Sequence, residues 1–320
     1  MGVLGSGSGA NGFDSQGHRG ARGLLPENTL HAFARALEIG VTTLELDVGV
    51  SKDDVVVVIH NPHLEPETTR GPDGKWLDET SPAIRSLTAE QIKTYDVGRM
   101  KPGTRYAERY PDQEPVDGAR VPTLEEVFEL VERAGNGTVR FNIETKIRPE
   151  QPDLTPSPED FARLVLATAA RHGILDRVTI QSFDWRVLQA VQRLNPRVIT
   201  SYLSVNQSWF DTIRLGEDGA SPWTAGFDVD ASGGSLPATV RKAGGDVWSS
   251  YHREVDRESI SEAHDLGLSV KVWTVNDEAR MDDLIDMGVD GIITDYPDRL
   301  RRVMAARGMD LPGRTPVSVD

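Results

Sequence analysis

The chain contains no cysteine. That excludes a disulfide scaffold, a thiolate metal site and a catalytic thiol, and leaves the compartment open, because many exported proteins also lack cysteine. No apolar run approaches the roughly 20 residues that a membrane-spanning helix needs. Basic residues are scarce beside acidic ones: 35 Lys and Arg face 50 Asp and Glu, a formal net charge of -15. This balance opposes non-specific binding to nucleic acid or an anionic membrane, whose phosphates would repel it. Glycine loops of the P-loop or dinucleotide kind are missing, and so is a nucleophile elbow. What is there, 320 residues of which 38% are hydrophobic, predicts a soluble globular protein with a core that needs no covalent staple. The length admits two average domains or one large α/β barrel.

Residues 1–12, MGVLGSGSGANG, are mostly Gly and Ser and read as a flexible tail without the basic and apolar regions of a leader. From Phe13 onward, strand-like runs recur: FDSQGHRG, TTLELDV, VVVVIH, TVRFNIETK, RVTIQSF, RVITSYL, GDVWSSY, LSVKVWTV and GVDGIITD. Helical patterns such as LHAFARALEIG, LEEVFELVERAG and DFARLVLATAARHG lie between them, and glycines at 40, 135, 173, 244, 267 and 288 mark helix ends. TTLELDVGV and VVVVIH are separated only by SKDD, too short for a parallel crossover, so they form an antiparallel hairpin. Eight strands then remain, which predicts a TIM (β/α)8 barrel over residues 13–307, with a tail over 308–320. Two stretches break the repeat: residues 61–120, read as an insertion after the hairpin, and residues 204–236, which hold Trp209 and Trp223. Long structured loops of this kind serve as lids or walls, or merely decorate the surface.

In such a barrel the chemistry sits at the C-terminal ends of the strands. The first strand ends in QGHRG, placing His18 and Arg19 at the mouth with little bulk over them. Glu45 and Asp47, two apart, share one face of the second strand. Like charges in a partly dry site repel unless a cation or proton lies between them. A solvated strand end is the plain alternative, and a divalent-cation site explains the pair better. Glu144, at the end of RFNIETK, would add a third carboxylate, enough for one Mg2+ or Ca2+. Histidines are not paired at zinc-ligand spacing. Lys146 and Arg19 then read as phosphate partners, or as simple charge balance for the carboxylates. If residues 52–54 turn the hairpin, His60 returns to the level of Asp47. Two imidazoles flanking a cation suit acid–base chemistry on a phosphodiester. The histidines at 31, 63, 172 and 264 are expected on helices or in the insertion, without a chemical role.

HRGARGLLPENTLHAF, LELDVGVSKDDVVVVIHNP, NIETK, QSF, VWTVN and DGIITDYPD occur in an order that resembles the glycerophosphodiester phosphodiesterases, over essentially residues 13–305. The resemblance implies a TIM barrel that hydrolyses glycerophosphodiesters to glycerol 3-phosphate and an alcohol. It implies that His18 and His60 are the acid–base pair, that Glu45, Asp47 and Glu144 hold one divalent cation, and that Arg19 and Lys146 contact phosphate. Gln181, Trp273 and Asn276 match positions near the substrate pocket, where Trp273 reads equally as barrel packing and Asn276 equally as a helix cap. Glu27 and Asn28 match a segment shaping the site floor, and a helix-start role is expected for both. This chain has His60-Asn61 where the family commonly has His-Asp, which puts the orientation or pKa of His60 in question. A lysophospholipase D-like activity on larger lipid phosphodiesters, with residues 204–236 as an apolar entrance, is the alternative within the superfamily. A phosphate-ester binding protein without turnover is the alternative outside it. The expected partner is a small glycerophosphodiester, with no nucleic acid and no integral membrane segment, and the expected state is a monomer or small homo-oligomer. The QGHRGARG opening is similar to that of exported bacterial enzymes, which implies a periplasmic or secreted location, with the cytoplasm as the alternative.

Overall fold

Short apolar runs become strands, and each Gly-ended periodic run becomes a helix returning the chain to the start of the next strand. The computed structural model describes residues 12–78 and 81–319. The expected flexible tail over residues 1–12 therefore lies, except for Gly12, outside the described residues. The strands are β1 (Asp14–Gly17), β2 (Thr43–Val50), β3 (Val56–Val58), β4 (Arg140–Thr145), β5 (Val178–Ser182), β6 (Ile199–Ser204), β7 (Asn206–Gln207), β8 (Phe210–Asp211), β9 (Val247–Tyr251), β10 (Ser269–Trp273) and β11 (Gly291–Thr294). Parallel pairing runs β1-β2-β4-β5-β6-β9-β10-β11 and returns from β11 to β1. The barrel closes on eight parallel strands, as the strand count predicts. β3 folds back antiparallel on β2, with Val48 opposite Val58.

The helices are α1 (Leu30–Ile39), α2 (Ala89–Ile92), α3 (Arg105–Arg109), α4 (Leu124–Arg133), α5 (Pro158–Arg171), α6 (Trp185–Leu194), α7 (Leu236–Lys242), α8 (Arg257–Asp265), α9 (Glu278–Met287) and α10 (Pro297–Ala306). All except α2 and α3 clothe the barrel. The six glycines expected at helix ends, from Gly40 to Gly288, adopt left-handed φ angles between 63° and 99°, which glycine reaches without a Cβ clash. Thr123 caps α4 in a reciprocal box with Glu126, a contact worth about 1 kcal/mol.

Alternation along the strands divides the barrel into two environments. Leu44, Leu46 and Val48 of β2, with Phe141 and Ile143 of β4, are buried in the apolar layer beneath the helices. The inward positions of β1, β2, β4 and β5 are polar instead of the branched aliphatic layers common in this fold. At the base, Asp14 pairs with Lys271 at 3.1 Å and Arg140 at 3.2 Å. Gln16 donates to Asp14, Asn142 donates to Gln16 and Gln181, and Gln181 donates to Glu45, each at 2.7–3.0 Å. A continuous hydrogen-bonded column thus rises from the base of the barrel to its mouth, and buried polar groups need such partners.

Residues 61–120 leave the barrel after β3 and return to α4. Their apolar side chains gather around Val57 of β3, with Leu64, Ile84, Ile92 and Val121. The hairpin strand therefore seeds a second, smaller core. At the opposite end of the chain, Thr315 N–H donates to Leu37 O, and Arg301 Nη1 donates to Gly40 O and Pro312 O. The last described residues thereby run over α1.

Candidate active site

Parallel register sets acidic side chains at one level. Asp47 on β2 lies opposite Glu144 on β4, which lies opposite Gln181 on β5. One carboxylate oxygen each of Glu45, Asp47 and Glu144 lies within 4.8 Å of the other two, and all three residues are buried. Two carboxylates at that distance repel by roughly 3 kcal/mol even at an effective dielectric of about 20. Glu45 accepts from the Arg19 backbone N–H at 2.9 Å and from Gln181 Nε2 at 2.7 Å. Lys146 Nζ donates to Glu144 Oε1 at 2.6 Å.

The carboxyls respond differently to this crowding. Burial, joined by Asp47 and Glu144, pushes Glu45 well above the carboxylate range. Burial and Asp47 lift Glu144 to about 7 against the pull of Lys146. Asp47 is held well below the usual range, because Arg19, His60 and Lys146 outweigh its burial. Its Oδ1 is buried without a hydrogen-bond partner. Three hard oxygen donors, two that resist ionising together and one carrying an orphaned oxygen, fit a divalent cation and no soft metal.

Two imidazoles complete the mouth. His18 Nδ1 is 2.6 Å from Asp295 Oδ1, and its Nε2 is 3.9 Å from Glu45. Asp295 also accepts from Arg22 Nε at 2.8 Å and from Asn276 Nδ2 at 2.7 Å. Burial and Arg22 bring His18 down to about 4, against Asp295. His60 stands one position past Ile59, whose N–H donates to Asp47 O at 2.9 Å. The hairpin therefore brings it beside the carboxylates, as counted from the sequence. Its Nδ1 lies 2.6 Å from Asn61 Oδ1. An amide oxygen only accepts, so Nδ1 carries the proton and Nε2 is left for chemistry. Asn61 thus orients the imidazole. Burial, Arg19 and Lys146 lower the His60 pKa.

The segment 18–29 forms the floor, and here the expected helix-start role for Glu27 and Asn28 is corrected. Thr29 is the N-cap of α1, accepting from Ala32 N–H. Asn28, at φ 56°, instead donates to Asp47 Oδ2 at 2.9 Å. Glu27 accepts from Arg19 Nη1 at 2.8 Å and from the Tyr106 hydroxyl. Arg19, at φ 50°, also pairs with Asp47 at 3.0 Å. Gly20 permits this turn: its φ is 85°, and a Cβ there would lie 2.6 Å from the Ala32 carbonyl carbon. Asn276 is not a cap either, because Asp277 is the N-cap of α9, accepting from Arg280 N–H. Gln181 donates directly to Glu45.

These groups open into a cavity of about 470 Å3 lined by His18, Arg19, Glu45, His60, Glu144, Lys146, Gln181 and Trp273. The sequence model of the glycerophosphoryl diester phosphodiesterase family matches residues 18–299. The chain belongs to that family. Similar proteins include the glycerophosphodiester phosphodiesterases of Bacillus subtilis (29% identical, covering 89% of this chain and 84% of that protein) and Caldanaerobacter subterraneus (29%, 91% and 97%). A crystal structure from Silicibacter pomeroyi that carries the family's name superposes with a TM-score of 0.82 at 37% identity, covering 95% of this chain and 97% of that one. A phosphodiesterase from Oleispira antarctica, solved with its product sn-glycerol 3-phosphate, shares the fold at 21% identity and a TM-score of 0.65, covering 91% and 96%.

This phosphoric diester hydrolase also contains site residues that sequence reasoning missed. Asp295 behind His18 is one. It directly follows β11, the strand that closes the barrel against β1, so an acidic residue there facing QGHRG was the available signal. Arg22, the second guanidinium of HRGARG, clamps Asp295 and lies 4.8 Å over the Tyr110 ring. Tyr106 and Tyr110, 5.2 Å apart, belong to the insertion, which therefore buttresses both the Glu27–Arg19 and the Arg22–Asp295 arms. The irregular stretch supplies Trp209, Phe210 and Trp223 to the cavity wall. Among the described residues, no helix is long and apolar enough to cross a membrane.

Proposed function

We propose that Glu45, Asp47 and Glu144 hold one Ca2+ or Mg2+, and that His18 and His60 act as the acid–base pair in hydrolysing a glycerophosphodiester to glycerol 3-phosphate and an alcohol. Family membership supports the reaction class, and one observation carries the mechanism: both imidazoles line one cavity with Glu45 and Glu144, and Asp47 lies within 4.8 Å of those two carboxylates. Each imidazole has its Nδ1 turned to an oxygen of Asp295 or Asn61, so each offers Nε2 to the substrate. One removes a proton from the attacking hydroxyl, and the other gives a proton to the leaving alkoxide. Asp295 stabilises the imidazolium on the His18 side, as a carboxylate behind a catalytic histidine does. A cation held by Glu45, Asp47 and Glu144 would supply Lewis acidity toward the phosphodiester. Lys146 and Arg19 add positive charge beside the phosphate and, before substrate arrives, offset the carboxylates. The same groups serve whether the glycerol 2-hydroxyl or water attacks phosphorus.

The catalytic unit is residues 13–307, with 61–120 inserted as a buttress. A location outside the cytoplasm rests on the QGHRGARG opening, and fractionation of the native cell tests it. The mechanism is tested by His60→Ala together with EDTA. Turnover on glycerophosphocholine is expected to disappear in both cases, while calorimetry shows that the variant still binds the cation. Undiminished turnover by His60→Ala removes that residue from the mechanism, and full activity in EDTA removes the cation.

A further inference from the structure

We propose that Tyr106, carried by the insertion, is a positioning residue for the reaction: its hydroxyl holds Glu27 in the place from which Glu27 aims Arg19 at the substrate phosphate. The proposal rests on the phosphodiesterase reading above, in which Arg19 contacts phosphate.

Arg19 needs such support. Its long side chain turns about several bonds, and it stands on a backbone at φ 50°, which an L-residue keeps only where its surroundings hold it. Two contacts fix the guanidinium: Nη1 donates to Glu27 Oε1 at 2.8 Å, and Nε lies 3.0 Å from Asp47 Oδ2. A planar fork pinned at two of its nitrogens has one orientation, and its remaining N–H groups are left for an anion. Arg19 lines the same cavity as both imidazoles.

Glu27 is itself contested. Arg22 Nη1 lies 3.6 Å from its Oε2, the oxygen that Arg19 does not use. The Tyr106 hydroxyl donates to that same Oε2. Without this bond the carboxylate is free to rotate toward Arg22 and to release Arg19. Although burial opposes it, Arg19, Arg22 and Tyr106 hold Glu27 below its ordinary pKa. Burial and Glu27 push the Tyr106 phenol well above its own. Near neutral pH the carboxylate therefore stays charged and the phenol stays a donor.

The insertion delivers that hydroxyl through fixed points. Gln113 Nε2 donates to Arg22 O at 2.6 Å and Glu114 N–H to Leu24 O at 2.9 Å, which moors the chain after α3 to the 18–29 segment. Thr104 caps the start of α3 by accepting from Ala107 N–H. The Tyr106 ring packs 5.2 Å from that of Tyr110, over which Arg22 lies. A phenylalanine would serve that packing, so packing alone does not account for the hydroxyl.

The test compares the cation-loaded full chain with Tyr106→Phe, which removes one oxygen and keeps the ring. On glycerophosphocholine, KM is expected to rise about tenfold with kcat changed by less than about twofold, the pattern of a contact made equally in ground and transition states. The Kd of inorganic phosphate, measured by calorimetry, should rise by a similar factor. Tyr106 acts through Glu27, so adding Tyr106→Phe to Glu27→Ala should weaken phosphate binding by less than about twofold more. A fall in kcat with KM unchanged, an unchanged phosphate Kd, or full multiplication of the two losses in the double variant overturns the positioning role. A loss confined to unfolding free energy overturns it as well. Phosphate binding needs no turnover, which separates the proposal from the reading beneath it. A chain that cleaves no glycerophosphodiester yet loses phosphate affinity with Tyr106→Phe supports the role and overturns the phosphodiesterase reading. Cleavage with one KM for both chains overturns the role while the reaction stands.

Discussion

Asp295 Oδ1 sits 2.6 Å from Nδ1 of His18, a residue 277 positions away in sequence. Closure of the barrel through β11 and β1 makes this pair. Two more donors, Arg22 and Asn276, fix the carboxylate, so it holds one tautomer and one ring orientation. Asp295→Asn should keep the hydrogen-bond geometry but weaken the imidazolium. We expect kcat to fall about a hundredfold or more, with cation affinity retained, by analogy with other carboxylate-backed histidines. Steady-state kinetics beside calorimetric cation binding checks this, and a change confined to KM would assign Asp295 a different role.

His60 is oriented by an amide instead. Asn61→Asp would place a negative charge behind His60 Nδ1, favouring the charged imidazole and raising its pKa. The limb of the pH–rate profile set by His60 should therefore move to higher pH. Asn61→Ala, which removes the acceptor, should lower kcat roughly tenfold without that displacement. A profile unmoved by Asn61→Asp would show that His60 does not set either limb.

Cation binding should release protons. Glu144 is raised to about 7, chiefly by burial, so below that pH its carboxyl carries a proton that the cation must displace. Affinity is expected to weaken as pH falls below 7, by up to about tenfold per unit for one proton. Calorimetry in two buffers of different ionisation enthalpy measures the release. Identical heats in both buffers at pH 6 would contradict it.

Acid stability has a separate source at the base of the barrel. Burial tends to raise Asp14, yet Lys271, Arg140 and Thr43 together lower it from 3.8 to about 2. Its folded pKa is below its unfolded one, so its contribution is complete above pH 4 and is lost as pH falls through about 2. The shift corresponds to on the order of 2 kcal/mol. Asp14→Asn should cost at least that at pH 7 and flatten the slope of unfolding free energy between pH 4 and 2, as urea titrations would show.

These contacts also mark how far the sequence could be read. Glu45, Asp47 and His60 were legible because strand alternation and a short turn are local rules that need no knowledge of the rest of the fold. Glu144 and Lys146 followed from the same alternation on a second strand. The partners of Arg22 and Asp295 depend on closure, and those of Tyr106 and Tyr110 on how the insertion folds back over the 18–29 segment. No periodicity encodes either. The segment 26–29 misled for a related reason. It carries the residue types of a helix start, and Thr29 does take the cap, but the two preceding side chains turn inward to Arg19 and Asp47. The hairpin of β7 and β8 has two-residue strands, too short to show a period.

Arg19 and Asn28 occupy left-handed backbone conformations that an L-residue adopts at a cost of about 1 kcal/mol or more, and that glycine adopts freely. The chain thus keeps side chains where its own backbone would prefer none. Selection for thermal tolerance alone would favour glycine at position 19 and discard the guanidinium that joins Glu27 to Asp47. Robustness and catalytic competence pull in opposite directions at this turn, and the residue present favours competence.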